Sequence, residues 1–220
     1  MNINTKTQRI DSLLYYKMKP VLEIRIDYPF FYGKLSKRSE KIINAYYIAK
    51  AKKMNTYART QLYTQAVNDY RYASANGFEF NLYSFYNVFE TTFLTPQIIS
   101  LYMDKSEYTG GAHPNTIRNS QTWDALSAKR LQLRDFFLPS FHYREFFIKY
   151  ITKIAMSPEN KENYFDDAPT LIRKNFHEKN FYLTPEGFVI YYQLYTIAPY
   201  YIGIPTFTIP YHEITAGGLK

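Results

Sequence analysis

Apolar and polar positions fall into a few strongly periodic stretches along the chain. From Val21 to Tyr28 apolar residues alternate with charged ones. That is the two-residue period of a half-buried strand, with Glu23, Arg25 and Asp27 turned outward. Pro29 and Gly33 are expected to end this strand, and Met1 to Ser12, polar throughout most of its length, reads as loose. A different period follows. Ile43, Tyr47, Ala51, Met54, Ala58, Leu62 and Ala66 recur at three- and four-residue steps and make one apolar helix face. Ser36 or Ser39 can cap it, no Pro or Gly interrupts it, and Asn76-Gly77 stops it, so a long helix is predicted from Glu40 to Ala73.

The middle of the chain returns to the period of strands. Phe78 to Phe93 reads as one strand, Thr95-Pro96 as a turn, and Ile98 to Tyr102 as the next strand, continuing toward Tyr108. Gly110-Gly111 breaks the pattern. Thr116 to Trp123 is another strand, and Leu131 to Leu133 returns after a turn. The reading is a meander of antiparallel strands. Asp135 to Ser140 is expected to start a second helix, with Phe141, Phe146 or Phe147, Tyr150, Ile151 and Ile154 on its apolar side and Ser157-Pro158 as its end. Pro169 to Phe176 is a short third helix. A hairpin follows, Phe181 to Leu183 and Phe188 to Tyr192 around Thr184-Pro185-Glu186-Gly187, and a final strand runs from Ile204 to Tyr211. Pro205 and Pro210 suit the ends of that strand. The fold class expected is α+β: antiparallel sheets, each covered by helices, in two closely packed αβ modules.

Composition changes the picture in three ways. The chain holds 24 Tyr and 17 Phe, many rings for 220 residues, and Tyr suits half-exposed sheet faces and interfaces because it keeps a polar tip. It holds no Cys, which excludes disulfides and cysteine-based zinc sites. Most of its net charge of +8 gathers on the long helix, at Lys37, Arg38, Lys41, Lys50, Lys52, Lys53 and Arg59 against Glu40 alone. With Tyr46, Tyr57 and Tyr63 nearby, that stretch reads either as a contact for nucleic acid, an anionic wall polymer or a membrane surface, or as a solvated face. No run approaches the ~18 apolar residues of a membrane helix, so no membrane span is expected in this chain, and Met1 to Lys19 lacks the basic start and apolar core of a signal peptide, so either the protein works leaderless or a leader has been removed.

Candidate chemistry is sparse. In Gly110-Gly111-Ala112-His113-Pro114-Asn115 two glycines allow close backbone approach, and His113 is the side chain there that titrates near neutrality. The alternative is a turn needed only for shape. The histidines at 113, 142, 177 and 212 show no paired metal-ligand spacing, although His142 and Glu145 stand one helical turn apart. Glu159, Glu162, Asp166 and Asp167 make an acidic loop without the spacing of a calcium site. No nucleophile elbow is present. No catalytic residue, metal or cofactor is expected. Tyr195 to Pro205 carries Tyr195, Tyr200 and Tyr201 among Pro199, Gly203 and Pro205. This is either a stiffened recognition loop or a tight turn of the fold.

Two motifs carry a family resemblance. The run from Phe181 to Tyr192, with Tyr195, Ile197-Ala198-Pro199-Tyr200, Gly203-Ile204-Pro205 and Ile209-Pro210, resembles the C-terminal signature of the DUF3298 (RsiV-like) domain. Tyr108-Thr109-Gly110-Gly111-Ala112-His113-Pro114-Asn115 is the second match, and a weaker N-terminal likeness is to the DUF4163 (PdaC-like) domain. The resemblance spans residues 19–214 and implies a DUF4163-like module over 13–108 and a DUF3298-like module over 109–214. One member of that family resembles an anti-sigma factor whose extracytoplasmic part binds lysozyme, and another relative carries the N-terminal module ahead of a peptidoglycan deacetylase domain. By resemblance the chain is a non-catalytic binding or sensing module for a muramidase (lysozyme-like) protein or for peptidoglycan, acting outside the cytoplasm, or inside it if leaderless. Its binding residues would be Tyr108, Gly110, Gly111, His113, Asn115, Tyr200 and Tyr201. Two alternatives stand beside it: an enzyme on wall polymers using His113 or the acidic loop, and nucleic-acid binding through the basic helix, the latter not expected.

Overall fold

The computed structural model describes residues 2–214 and 218–219. It begins with a long antiparallel hairpin, β1 (Ile3–Tyr16) paired with β2 (Lys19–Gly33). The N-terminal stretch expected to be loose is therefore a 14-residue strand. Its side chains are mostly exposed or half-exposed, so it lacks the apolar alternation that marks a strand with a buried face. Lys17 and Met18 form the tip, both with positive φ, as a two-residue hairpin turn requires.

Two expectations for β2 are corrected. The strand does not stop at Pro29, which pairs with Thr7 inside the ladder. Pro29 has no N–H to give, and the parallel pairing of β2 with the next strand covers Leu22 to Ile26. Farther along, Asn44 serves the free side: Phe31 N donates to Asn44 Oδ1 and Asn44 Nδ2 donates to Phe31 O, both at 2.8 Å. Asp27 does not face outward into water. It is buried, and Arg9, opposite it in register, holds both its oxygens at 2.6 and 2.9 Å.

The helix starts where the cap signal stands, with the Ser36 side chain accepting from Ser39 N at 3.0 Å. It runs as α1 (Lys37–Tyr57), a π-helical segment (Ala58–Leu62) and α2 (Tyr63–Asn76), and Gly77 at φ +72° ends it. By carrying the chain back along its own direction, it lets β3 (Tyr83–Leu94) pair with β2 in parallel. This corrects the expectation of wholly antiparallel sheets. Phe78 to Leu82, expected in that strand, lies outside it. The strands β4 (Ile98–Tyr108), β5 (Asn115–Asp124) and β6 (Lys129–Leu131) complete a six-stranded sheet in sequence order. The fold class is mixed α+β, with this sheet and a second of three strands.

Two compact units divide the chain. The first takes residues up to Glu90, Met103–Ile117 and Ala125–Ala128; the second takes Thr91–Tyr102, Arg118–Asp124 and the chain from Lys129 on. In the first, Leu22, Ile24 and Ile26 of β2 and Phe85 of β3 are buried with Ile43, Tyr47, Ala51, Met54, Ala58, Leu62 and Ala66, the helix face read from the sequence.

In the second unit the helix expected from Asp135 begins later. Leu133–Phe136 is a single 3₁₀ turn, in which Asp135 Oδ2 accepts from Gln132 N at 2.9 Å. Pro139 disfavours helical backbone at Leu138, and α3 runs from Tyr143 to Ala155. With α4 (Ala168–Asn175) it covers one face of a sheet ordered β7 (Phe181–Leu183), β8 (Gly187–Tyr191), β9 (Thr206–Pro210). All five residues of β8 are buried. Phe188 and Ile190 join Phe147, Ile151, Ile172, Phe207 and Ile209 in the main core. Val189 and Tyr191 face the other way with Tyr182, Tyr102 and Ile204. Gly187 permits the close approach of β9, since a Cβ there would collide with the Ile209 carbonyl.

Candidate functional site

The signature tyrosines separate into two groups. Tyr182, Tyr191 and Tyr192 are buried. Tyr192 OH donates to Ile172 O at 3.1 Å, and the Tyr182 ring lies 5.1 Å from that of Tyr102, over which the Arg118 guanidinium sits at 3.7 Å. Gln193 ties the same place together: its Oε1 accepts from Arg118 N at 3.0 Å and its Nε2 donates to Arg118 O at 2.7 Å. This half of the signature is scaffold.

The other half is displayed. After β8 the chain turns at Gln193, whose carbonyl accepts from Thr196 N at 3.2 Å and Thr196 Oγ1 at 2.6 Å. Tyr195 stands in this turn at φ +62°, a conformation that costs a non-glycine residue ~1 kcal/mol. Ile197 and Ala198 are buried and anchor the loop, and Tyr192 N donates to Pro205 O at 3.0 Å, closing its base. Between these fixed points Pro199 leads into a 3₁₀ turn, Tyr200–Ile202, which Gly203 ends at φ +77°. The Tyr195 and Tyr200 rings lie 5.6 Å apart at an interplanar angle of 32°. Tyr195 is 55% exposed and Tyr201 73%, while Tyr200 is half-buried. A strained tyrosine, a stiff turn and buried anchors on both sides hold three rings at the surface with little freedom left to lose on binding.

The loop from Tyr108 to Asn115 belongs to the first unit. Tyr108 ends β4 half-buried, and Asn115 opens β5 exposed. Gly110 has φ +87°, and its carbonyl accepts from Asn81 Nδ2 at 3.4 Å. His113 is exposed, with Nδ1 3.3 Å from its neighbour's carbonyl, Pro114 O. The structure thus places these five expected residues in a strand-connecting turn, in a different unit from Tyr200 and Tyr201.

One feature went unseen in the sequence, because it depends on two helices meeting. An open groove of about 840 Å³ runs along α3 and α4, with Phe141, Phe146 and Ile148 beside His142, Lys149 and Arg173. His142 and Glu145 both line it, and Glu145 is engaged by a cation of the facing helix. Both Glu145 oxygens accept from Arg173, at 2.8 and 2.9 Å, and this pairing holds the carboxyl below its ordinary value. Among the described residues no group of three His, Asp or Glu is placed to hold a metal ion, and no helix is long and apolar enough to cross a membrane.

Comparison with known proteins agrees with the two motifs. Residues 134–212 match the model of DUF3298, a protein of unknown function, and residues 16–116 match the model of deacetylase PdaC. The chain carries a PdaC-like domain followed by a DUF3298 domain. The Tyr108–Asn115 loop falls within the first of these and Tyr195 to Tyr201 within the second. Solved structures share the fold, two of them from the DUF3298 family. A DUF3298 family member from Bacteroides fragilis is 18% identical with a TM-score of 0.75, over 100% of this chain and 96% of that one. A DUF3298 family protein from Pseudomonas aeruginosa is 18% identical with a TM-score of 0.64, over 99% of this chain and 94% of that one. Among curated proteins nothing matches.

Proposed function

We propose that the chain is a non-catalytic binding module whose ligand is either a peptidoglycan strand or a muramidase that acts on one. The observation that carries this reading is the set of rings at Tyr195, Tyr200 and Tyr201, held by a strained turn and two buried anchors. Flat, partly apolar rings with polar tips suit both the faces of sugar rings and a protein surface. The wall context itself rests on the motif resemblance; the match to deacetylase PdaC adds a likeness to a deacetylase, and DUF3298 is a family of unknown function.

The experiment measures retention of the chain on purified peptidoglycan and on immobilised lysozyme, for the unaltered chain and for Tyr201→Ala. One of the two supports should retain the chain. The substitution should lose most of that retention while folding stability changes by no more than about 0.5 kcal/mol, because an exposed ring contributes little to the core. Retention on neither support, or equal retention of both proteins, overturns the reading.

A further inference from the structure

In the six-stranded sheet β1 stands at one end, so among the described residues no strand lies on its outer side. The direction of its backbone groups follows from its partner. Phe31 gives its N–H and C=O to Asn44, Asp27 O accepts from Asn87 Nδ2 at 2.7 Å, and Pro29 between them has no N–H. These β2 residues point away from β1. Their opposites in register, Thr5, Thr7 and Arg9, are therefore non-hydrogen-bonded positions of the hairpin. Their own N–H and C=O groups aim outward, and by the two-residue period so do those of Asp11 and Leu13. Among the described residues, Ser12 Oγ donates to Asp11 O at 2.7 Å, and at the far end of the strand, past the register shift, the Tyr63 hydroxyl donates to Tyr15 O at 2.9 Å; each carbonyl has a second lone pair. A long row of outward donors and acceptors, with no Pro, is a template for another strand.

The charges say which strand fits. We propose that a second copy of this chain pairs its β1 antiparallel to the first, about a twofold axis at Ile10. In that register Arg9 faces the other copy's Asp11, and Asp11 faces its Arg9, at positions where the outward backbone groups also meet. Sliding by two residues, the smallest step that keeps those groups paired, sets Arg9 against Arg9 one way and Asp11 against Asp11 the other. Opposite charges therefore select one register, and like charges exclude its neighbours. The side chains are available for it. Arg9 holds Asp27 with Nε and one Nη nitrogen, leaving the other Nη nitrogen to give. The Asp11 carboxylate is exposed and has no ion pair among the described residues. The interface is isologous, and each charge pair occurs twice.

The chain has no Cys, so an introduced one reports without background. Ile10 faces its own copy in a non-hydrogen-bonded pair, about 4.5 Å between Cα atoms, within the span of a disulfide. Mild oxidation should join Ile10→Cys into a covalent dimer and leave Gln8→Cys, far from its own copy, as single chains. Sedimentation equilibrium should show reversible self-association of the unaltered chain. Asp11→Lys should weaken it about tenfold by bringing four like charges together. Thr7→Pro, which removes an outward N–H and no bond to β2, should weaken it further. A strictly monomeric chain, a dimer indifferent to Asp11→Lys, or cross-linking of Gln8→Cys as fast as Ile10→Cys overturns the proposal.

Discussion

Tyr86 donates its hydroxyl to Glu23 Oε2 at 2.5 Å, and Tyr211 donates to Thr184 O at 2.9 Å. Burial raises both, to about 12 from the ordinary 10.0, helped by Glu23 in one case and Glu186 in the other. The sign follows from which state ionises first. Unfolded tyrosines lose their protons near pH 10, whereas these stay protonated in the fold, so their contribution is whole below pH 10 and is lost as pH rises toward 12. Thermal melts across that window should show a steep fall in Tm, shallower in Tyr86→Phe and in Tyr211→Phe. An equal slope in all three proteins counts against the assignment. Residue identity did not reveal which tyrosines are inside. Tyr191 and Tyr195 stand four positions apart in the same signature, one fully buried and the other exposed. What separates them is a backbone turn at positive φ, which composition does not announce.

The long helix shows what periodicity can carry at the scale of an element. Met54, Ala58, Leu62 and Ala66 follow one another at four-residue steps, and each step overshoots an α-helical turn by about 40°. The π segment at Ala58–Leu62 takes up that excess and keeps all four residues buried. Deleting the exposed Thr60 should convert the segment to plain α-helix, with the apolar face at steps of four, three and four. That variant should fold with a modest loss of stability. Inserting one Ala after Thr60 should turn Leu62 and Ala66 off the core and cost ~3 kcal/mol or more, as lost core packing does. Denaturant melts of the two variants compare them, and equal losses would assign the segment no role in register. The helix, its caps and the C-terminal hairpin were legible because each has a local chemical signal. Strand β1 was not, because an edge strand in a hairpin takes its stability from backbone pairing rather than from an apolar face. The parallel β2–β3 pair was not, since alternation gives a strand's faces and never its neighbour.

Across the molecule, β3, β4 and β5 each give residues to both compact units. The second unit needs its early segments: Ser100 Oγ accepts from Leu183 N at 2.9 Å and lies 2.8 Å from Thr122 Oγ1, and the Tyr102 ring packs against Tyr182. A fragment of residues 109–214 lacks Ser100 and Tyr102 and leaves a buried face of β8 uncovered. We expect that fragment to show poor amide dispersion and no cooperative melt, with recovery on adding residues 91–108. A fragment that melts cooperatively by itself would instead favour a division of the chain at residue 108. The candidate site was legible only in part, for the same reason. The Tyr195 to Pro205 loop is continuous in sequence, whereas the α3–α4 groove exists only once two helices have met.

The parallel pairing of Leu22 with Tyr83 also sets an order in time. On the ribosome the β1–β2 hairpin emerges complete and can close within microseconds, since its contacts are local. The strand that will cover the other side of β2 is made only after the whole helix, seconds later at ordinary rates of synthesis. Through that interval Ile24 and Ile26 depend on the nascent helix for shelter. The growing chain is therefore most open to association with its neighbours before Tyr83 is added, and slowing synthesis across the helix codons should increase the fraction lost to aggregates.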